Sequence, residues 1–385
     1  MADRKISVLF VHTSHTGGHS SAAEAIKEIL DGIPHVRSIV INKLDCAETS
    51  IFKRMKISLK DHVIKNWPRL RGWVFRTLMR GNPLFYAFSN WLICFKTWSN
   101  ARLLRCVRAM KPDIVLSCHS QTNSLFSHWK KYRKLSAPIH SLLTDFRAHQ
   151  FWAQDHMDCY YVAGELAKRD LEQFGVPASK IQVTGIPVKK KFLRQCCSKA
   201  SLKRKLGVSS DRFLILVLGG ALGSGPFLAM ARSFNRLRGH FQVVFITGKN
   251  RKKRESLERI KSACSFPLYV LGLVDNPEQW LEASDLVISK PGGVSISEIM
   301  AMAKPMVIIR RDSYLEDIQV ERLRQMAVPF LSCSLEELKT KVEELMSSPE
   351  KLQALAGHSH HSFNPSAALT ISGHLLKTVQ PNFRL

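Results

Sequence analysis

Between Val8 and Ile26 the chain reads VLFVHTSHTGGHSSAAEAI, with histidines at positions 15 and 19 inside a turn of small residues. Val8–Val11 is a short apolar strand, Thr13–His19 the turn, and Ser20 onward a helix rich in Ala and Glu. Strand, tight glycine turn and helix is the layout that holds phosphate, because orphan amides and the helix dipole both face the turn. Neither G-x-G-x-x-G nor G-x-x-x-x-G-K-[ST] is present. In place of that fingerprint stands an imidazole, whose pKa near 6.5 lets it accept a proton at neutral pH. A helix-terminal histidine without a catalytic role is the plainer alternative for His19.

Two glycine turns in the second half have a different character. Phe213–Leu218 runs into GGALGSGPFLAMA, with Gly219, Gly220, Gly223 and Gly225 close together and a helix beginning near Pro226. Such residues let backbone N–H groups approach a diphosphate, and the helix N-terminus adds positive potential. Tight strand–helix packing explains the same glycines without a ligand. The second turn lies in SDLVISKPGGVSISEIMAMAKPMVI, where a strand ends near Lys290 and Gly292-Gly293 turns the chain. Ser297 and Glu298 are expected in the first turn of the following helix, where Glu298 accepts hydrogen bonds from two ribose hydroxyls. Ser295-x-x-Glu298 also has the spacing of a capping box, in which the glutamate only satisfies its own helix end.

The elements that position these turns follow from hydrophobic pattern. Strands are expected at Ser7–Val11, Ser38–Ile41, Ile114–Ser117, Ile139–Leu143, Cys159–Val162 and Ile181–Thr184. A second set is expected at Phe213–Leu218, Val243–Ile246, Leu268–Leu271, Leu286–Ser289 and Met306–Ile309. Each is Leu-rich or β-branched without polar alternation, as in a parallel sheet covered on both faces. The class is α/β, with two Rossmann-like halves joined by the basic stretch Pro187–Lys205. A cleft is expected between the carboxyl ends of their strands. The domains are expected at 1–190 and 206–360, with 361–385 packing back on the first.

A chain of 385 residues exceeds one ordinary core. Apolar content of 45% and charged content of 23% exclude a disordered chain. Nine scattered cysteines without C-x-x-C point to reduced thiols, with neither a disulfide framework nor a zinc site. Met1–Ile6 runs straight into a strand without a signal-peptide core. The longest mostly apolar run, Pro83–Phe95, is too short to span a bilayer, which takes about 20 residues.

The net charge of +26 calls for a polyanionic partner, and it is unevenly placed. Ile51–Lys111 holds fourteen Lys or Arg against the single acid Asp61, with four of the seven tryptophans: Trp67, Trp73, Trp91 and Trp98. A basic face beside Trp, Phe and Leu suits the headgroup layer of an anionic membrane, where each cation adds about 1 kcal/mol. A solvated basic face over core residues also fits. Nucleic acid is not expected, because no RNP-like, KH-like or zinc-finger spacing occurs.

The segment GLVDNPEQWLEASDLVISKPGGVSISEIMAMAKPMVI resembles the donor-binding half of GT-B glycosyltransferases. The branch is that of monogalactosyldiacylglycerol synthases and processive diacylglycerol glucosyltransferases, related to the lipid II N-acetylglucosaminyltransferase. HTGGHSSAAEAI is similar to that branch's TGGGH-x-x-AAxAI loop. KPDIVLSCHS, LLTDFRAHQFW, DCYYVAGELAKRDLEQFGVPASKIQVTGIPV and VLGGALGSG are similar to its successive blocks. The resemblance spans nearly the whole chain in order. It implies that the N-terminal loop faces the acceptor, with Gly17 and Gly18 shaping it and His19 orienting or deprotonating an acceptor hydroxyl. Asp145 is the rival base, and His149 and Trp152 line the acceptor side, Trp152 being equally suited to core. Asp45 keeps a dinucleotide reading open.

On the donor side the resemblance assigns UDP-sugar to Gly219, Gly220, Gly223, Gly292, Gly293, Ser297 and Glu298, with uracil held at the Val274 backbone. The family's Pro-Gly-Gln-Glu-x-x-Asn-Ala stretch matches SYLEDIQV, Ser313–Val320, where Glu316 is kept and Gln319 stands for Asn. The activity implied is inverting transfer of a hexose from a UDP-sugar to a lipid such as diacylglycerol. It takes place peripherally on the cytoplasmic membrane face, with no cofactor and no metal, since no Asp-x-Asp occurs. N-acetylglucosaminyl transfer to a polyprenyl-linked cell-wall precursor, and a non-catalytic sugar-nucleotide-binding relative, are the alternatives.

Overall fold

The computed structural model describes residues 5–13, 17–43, 45–46, 100–194, 198–310, 314–361 and 363–383. Most of Ile51–Lys111, the basic and aromatic segment, therefore lies outside the described residues, as does Ser313. The described residues of Met1–His15, His19–Pro187 and Ser366–Leu385 form one compact unit. Those of Thr16–Gly18 and Val188–Pro365 form the other.

The first unit carries a six-stranded parallel sheet of β1 (Ile6–His12), β2 (Val36–Asn42), β3 (Ile114–Ser117), β4 (Ile139–Leu142), β5 (Cys159–Val162) and β6 (Ile181–Val183). Its order is β2-β1-β3-β4-β5-β6. The helices are α1 (Gly18–Leu30), α2 (Ala101–Met110), α3 (Ser120–Lys131) and α4 (Glu165–Gln173), and the chain's last helix, which returns to this unit. Val8, Leu9, Phe10 and Val11 are all fully buried, so β1 is covered on both faces. That is why the strand shows no polar alternation.

The second unit has a sheet of order β12-β11-β10-β7-β8-β9, all parallel. Its strands are β7 (Phe213–Leu218), β8 (Phe241–Ile246), β9 (Leu268–Leu271), β10 (Leu286–Ser289), β11 (Met306–Ile309) and β12 (Leu331–Cys333). The helices are α5 (Lys199–Lys205), α6 (Phe227–Phe234), α7 (Arg251–Ile260), α8 (Pro277–Ala283), α9 (Gly293–Ala301), α10 (Tyr314–Gln325), α11 (Leu338–Met346) and α12 (Pro349–His361). The last helix of the chain is α13 (Ala367–Val379). A core built on Phe227, Phe234, Phe241, Phe245 and Phe266 fills one face of this sheet.

Of the twelve strands among the described residues, eleven lie where the apolar runs place them. The twelfth, β12, is three residues long with a serine in its middle and offers no run to read. The basic stretch before Lys205 is not a bare linker, because its end folds as α5 onto the second unit. Asp285 supplies the reason: its carboxylate meets the Lys199 and Lys203 ammonium groups at 2.7 Å each and accepts the Leu214 N–H at 2.8 Å. These partners hold the Asp285 carboxyl below its ordinary range in spite of burial, the largest influence, which acts the other way.

Candidate active site

In each sheet the strand order reverses once, between β1 and β3 in the first and between β7 and β10 in the second. Loops at the carboxyl ends of strands flanking such a reversal diverge and leave room for a ligand. Both groups of candidate residues sit on loops of this kind.

In the first unit, β1 leads to Gly17, at φ 139°, and α1 opens at Gly18. The helix thus begins two residues earlier than the sequence suggests, and His19 lies within its first turn. β3 leads to His119, the N-cap of α3, whose Nδ1 accepts the Gln121 N–H at 3.1 Å. β4 leads to Thr144 and Asp145. Because β1, β3 and β4 are neighbours, the three loops converge. Thr144 Oγ1 lies 2.7 Å from His19 Nδ1, and the His19 and His119 rings meet edge-on with centroids 4.8 Å apart.

Burial pushes the His19 pKa below its ordinary 6.5, while the Asp145 charge and the Cys118 backbone carbonyl pull it part of the way back. The positive end of α1 acts in the same direction as burial. His19 is therefore neutral at physiological pH, with a carboxylate near enough to stabilise the cation once it takes a proton. Of the two rival bases, this geometry favours His19 as acceptor of the proton and Asp145 as its electrostatic partner.

Trp152 is 1% exposed and belongs to the first unit's core, so its ring is packing and not open lining. Its indole Nε1 nevertheless meets no hydrogen-bond partner among the described residues, and neither does His149 Nδ1. The His149 and Trp152 rings are 6.0 Å apart, and Trp152 is 6.5 Å from His119. Burial, then the Arg147 charge, push His149 down to about 4, so it too is neutral. His119 is absent from the sequence-based candidates. Its signal is the same strand-then-histidine-then-helix pattern that marks His19, in IVLSCHSQT. Asp45 ends a turn after β2, its N–H bonded to the Asn42 carbonyl at 3.0 Å.

In the second unit, a small recess is lined by Leu218 of β7, Ser224–Phe227 at the start of α6, and Ser289 and Lys290 of the β10 loop. The glycines around it answer to packing as well as to any ligand. A Cβ on Gly219 would sit 2.3 Å from the Phe227 ring, and one on Gly223 would sit 1.9 Å from the Thr247 carbonyl oxygen. Gly248, another position not singled out from sequence, completes this packing: at φ 56°, its Cβ would meet the Ala221 carbonyl at 2.4 Å. The Lys290 stem passes both glycine turns, with Cε 3.2 Å from where a Gly220 Cβ would stand and 3.8 Å from one on Gly292. That places an ammonium group where the two turns meet, a cation sequence reasoning missed although it directly precedes Pro291-Gly292-Gly293.

The expectation for Glu298 needs correcting in one respect. α9 begins at Gly293 with Gly292 as its N-cap, so Glu298 is in the second turn. The capping-box alternative fails for the same reason, since that motif needs the glutamate at the third helical position. Glu298 is half-buried and does not cap its own helix. Ser297 is buried, and its hydroxyl donates to the Gly293 carbonyl at 3.0 Å inside the helix. Val274, between β9 and α8, has a backbone N–H and carbonyl without partners among the described residues. Glu316 and Gln319 lie one turn apart near the start of α10, so this part of Ser313–Val320 is helical.

The monogalactosyldiacylglycerol (MGDG) synthase profile matches residues 19–188, and the glycosyltransferase family 28 C-terminal domain profile matches residues 214–371. A curated relative, the processive diacylglycerol beta-glucosyltransferase of Bacillus mycoides (strain KBAB4), is 27% identical over 286 residues, 74% of this chain and 72% of the relative. Among solved structures, Anabaena HepE in complex with UDP-glucose is 15% identical with a TM-score of 0.60, over 98% of this chain and 100% of that one. Acinetobacter baumannii MurG is 13% identical with a TM-score of 0.59, over 97% and 99%. At these identities the solved structures speak to the fold alone, which is GT-B. The chain thus carries an MGDG synthase domain followed by a glycosyltransferase family 28 C-terminal domain on a GT-B fold, and over most of its length it is similar to processive diacylglycerol glucosyltransferases.

Proposed function

We propose that this protein transfers a hexose from a UDP-sugar to a lipid hydroxyl, with diacylglycerol the acceptor and inversion at the anomeric carbon. The observation that carries the reading is the neutral His19, hydrogen-bonded to Thr144 and facing the Asp145 charge. The acceptor O–H gives its proton to His19 while its oxygen attacks the anomeric carbon. The bond from that carbon to the diphosphate oxygen breaks, and UDP leaves with the electron pair. Asp145 stabilises the imidazolium that results. The leaving charge is met by amides of the Gly219–Gly225 turn and by Lys290, a kind of preorganised electrostatic help that is often the largest catalytic contribution. Glu298 is assigned to the ribose, the Val274 backbone to uracil, and Glu316 and Gln319 to the donor sugar.

The similarity to processive diacylglycerol beta-glucosyltransferases supports diacylglycerol and glucose. HepE, solved with UDP-glucose, supports the donor class. No metal is assigned to the chemistry, because the sequence holds no Asp-x-Asp pair and the amide and lysine groups suffice for the charge. Among the described residues no helix is long and apolar enough to cross a membrane. The protein is placed peripherally on an anionic, cytoplasmic membrane face through Ile51–Lys111, on the strength of that segment's charge and aromatics.

The test is incubation with radiolabelled UDP-glucose, UDP-galactose or UDP-N-acetylglucosamine and vesicles carrying either diacylglycerol or a polyprenyl-linked cell-wall precursor, followed by lipid extraction. Label in the lipid phase identifies donor and acceptor together. Label that reaches only a polyprenyl-linked precursor replaces the acceptor, and no transfer from any donor defeats the catalytic reading.

A further inference from the structure

The face of the first sheet that α13 covers holds a group of side chains that the transfer reaction does not use. His140 projects from β4, Cys159 and Tyr161 from β5, and His374 from α13. His140 and Cys159 are cross-strand partners in the parallel register, so their side chains stand side by side. His140, Cys159 and Tyr161 are each at most 4% exposed. Tyr161 Oη lies 2.8 Å from His140 Nδ1 and 2.8 Å from His374 Nδ1, between the two imidazoles. One ring nitrogen of each histidine and the Cys159 sulfur all lie within 4.8 Å of one another.

We propose that His140, Cys159 and His374 form a structural site for a borderline transition-metal ion, Zn²⁺ or a close analogue, which clips α13 to β4 and β5. The donor set is the argument. Two imidazoles and a thiol are what tetrahedral Zn²⁺ sites are made from, with Zn–N of about 2.0–2.1 Å and Zn–S of about 2.3 Å. Those bond lengths put ligand atoms about 3.3–3.6 Å apart, so side-chain rotations of an ångström or so close the group onto an ion. Tyr161 Oη bonds both imidazoles at Nδ1 and also meets the Cys159 thiol, so it gathers the three donors about one point. Three protein donors leave the fourth tetrahedral position to water or to the Tyr161 hydroxyl. With His140, Cys159 and Tyr161 buried, a substrate does not reach it, so the site is structural and not catalytic.

Without metal the group is neutral: burial pushes the Cys159 thiol up to about 12 and His140 down to about 3. Uptake of M²⁺ forms a Cys159 S–M bond, breaks the S–H bond and releases that proton to solvent, while both imidazoles bind neutral. Asp158 adjoins the group, its carboxylate accepting the Ile139 N–H at 2.7 Å and pairing with Lys130, and it offsets part of the added charge. The sequence-based expectation of no zinc site rested on local cysteine spacing. Here the ligands come from two strands and a helix near the chain's far end, a set no local spacing encodes.

The test uses the full chain, stripped with a chelator and then titrated with Co²⁺ and with Zn²⁺. Expected are one high-affinity Co²⁺ per chain, a thiolate-to-cobalt charge-transfer band with tetrahedral d–d bands, and displacement by Zn²⁺. Cys159→Ser is expected to abolish the charge-transfer band, and His374→Gln to weaken Co²⁺ binding at least tenfold. Both variants are checked for folding by circular dichroism. Zn²⁺ is expected to raise the melting temperature of the wild type and not that of Cys159→Ser. A wild type that takes up no Co²⁺ with a thiolate band leaves the group a closed hydrogen-bond chain and overturns the proposal. A band that persists in Cys159→Ser locates the metal elsewhere and overturns it equally.

Discussion

Replacing Gly223 by alanine separates the two duties of the glycine turn after β7. Gly223 has φ 61°, and an added Cβ would lie 1.9 Å from the Thr247 carbonyl oxygen and 2.6 Å from the Asn250 Cβ. Left-handed backbone costs an alanine about 1–2 kcal/mol. The overlap adds a displacement: contacts of this kind do not fall below 3.0 Å, so the turn and the Thr247–Asn250 segment must part by roughly 1 Å. That movement stretches the Lys249 N–H bond to the Ala221 carbonyl, now 2.9 Å, and carries the turn's amides with it. An amide displaced by this much no longer reaches a diphosphate oxygen, and each such charge-assisted bond is worth about 1.5–3 kcal/mol. UDP affinity is expected to fall about 10- to 150-fold.

Gly220→Ala is the control. Gly220 also has a left-handed φ, 64°, but its added Cβ would meet only the flexible Lys290 stem, at 3.2 Å. It carries the same backbone strain without the carbonyl overlap and displaces only the Lys290 stem, so its loss of UDP affinity is expected to be several-fold smaller than that of Gly223→Ala. Calorimetry with UDP measures the affinities, and thermal unfolding reads the strain, about 2–4 °C per kcal/mol for a unit of this size. A folded Gly223→Ala protein that binds UDP as tightly as Gly220→Ala does would show that the turn serves packing alone and carries no diphosphate.

His19→Ala is expected to lower turnover by about 10²–10⁴-fold with UDP affinity unchanged, and wild-type rates in that variant would remove His19 from the chemistry. Because burial holds the His19 pKa below 6.5, its base form is complete at neutral pH and is lost only as pH falls through that lowered value. The acid limb of kcat/KM is thus expected below 6.5, and Asp145→Asn, which removes a pull upward, moves it lower still; a limb above 7 contradicts the assignment. Glu298→Gln is expected to cost UDP about 1.5–3 kcal/mol by calorimetry, and unchanged affinity would detach Glu298 from the ribose. Vesicles of anionic lipid are expected to bind the protein more tightly than neutral ones and to lose it only in part at high salt. Joint replacement of Trp67, Trp73 and Phe85 by Ser leaves binding that salt abolishes, and indifference to anionic lipid sinks the membrane assignment.

The parallel sheets were legible because strands covered on both faces must be continuously apolar, as VLFV of β1 and VVFI of β8 are. What pattern did not carry was anything set by contacts between distant segments. Glu298 sits a turn deeper in α9 than its capping-like spacing suggests, because Gly292, and not Ser295, caps the helix. Trp152 reads equally as lining or core until its burial beneath α3 settles the matter, with Asn123 donating to its carbonyl at 3.2 Å. The loop that carries His119 has no glycines to mark it, although β3 stands between β1 and β4 and must deliver its loop to the same place.

The two kinds of loop after β1 and β7 show how one layout serves opposite chemistry. A helix N-terminus favours whatever is negative beside it, and equally disfavours a positive charge. After β7 the chain offers a glycine turn in which the Gly219, Gly223 and Ser224 N–H groups already bond backbone carbonyls, so it is the turn's other amides that an anion would take. After β1 it offers His19 in the first turn of α1, where the same field, added to burial, keeps the imidazole unprotonated. A base so depressed is weak, and a neutral hydroxyl would give up its proton to it reluctantly. Asp145 corrects this by favouring the imidazolium, and Thr144 fixes the ring at 2.7 Å so that the correction acts on one orientation. Loss of Asp145 should therefore slow proton transfer even though it leaves the fraction of His19 available as base undiminished. In kinetic terms, Asp145→Asn lowers the plateau of kcat while its acid limb moves to lower pH. A plateau that held while the limb moved would mean that proton transfer is not part of the slow step.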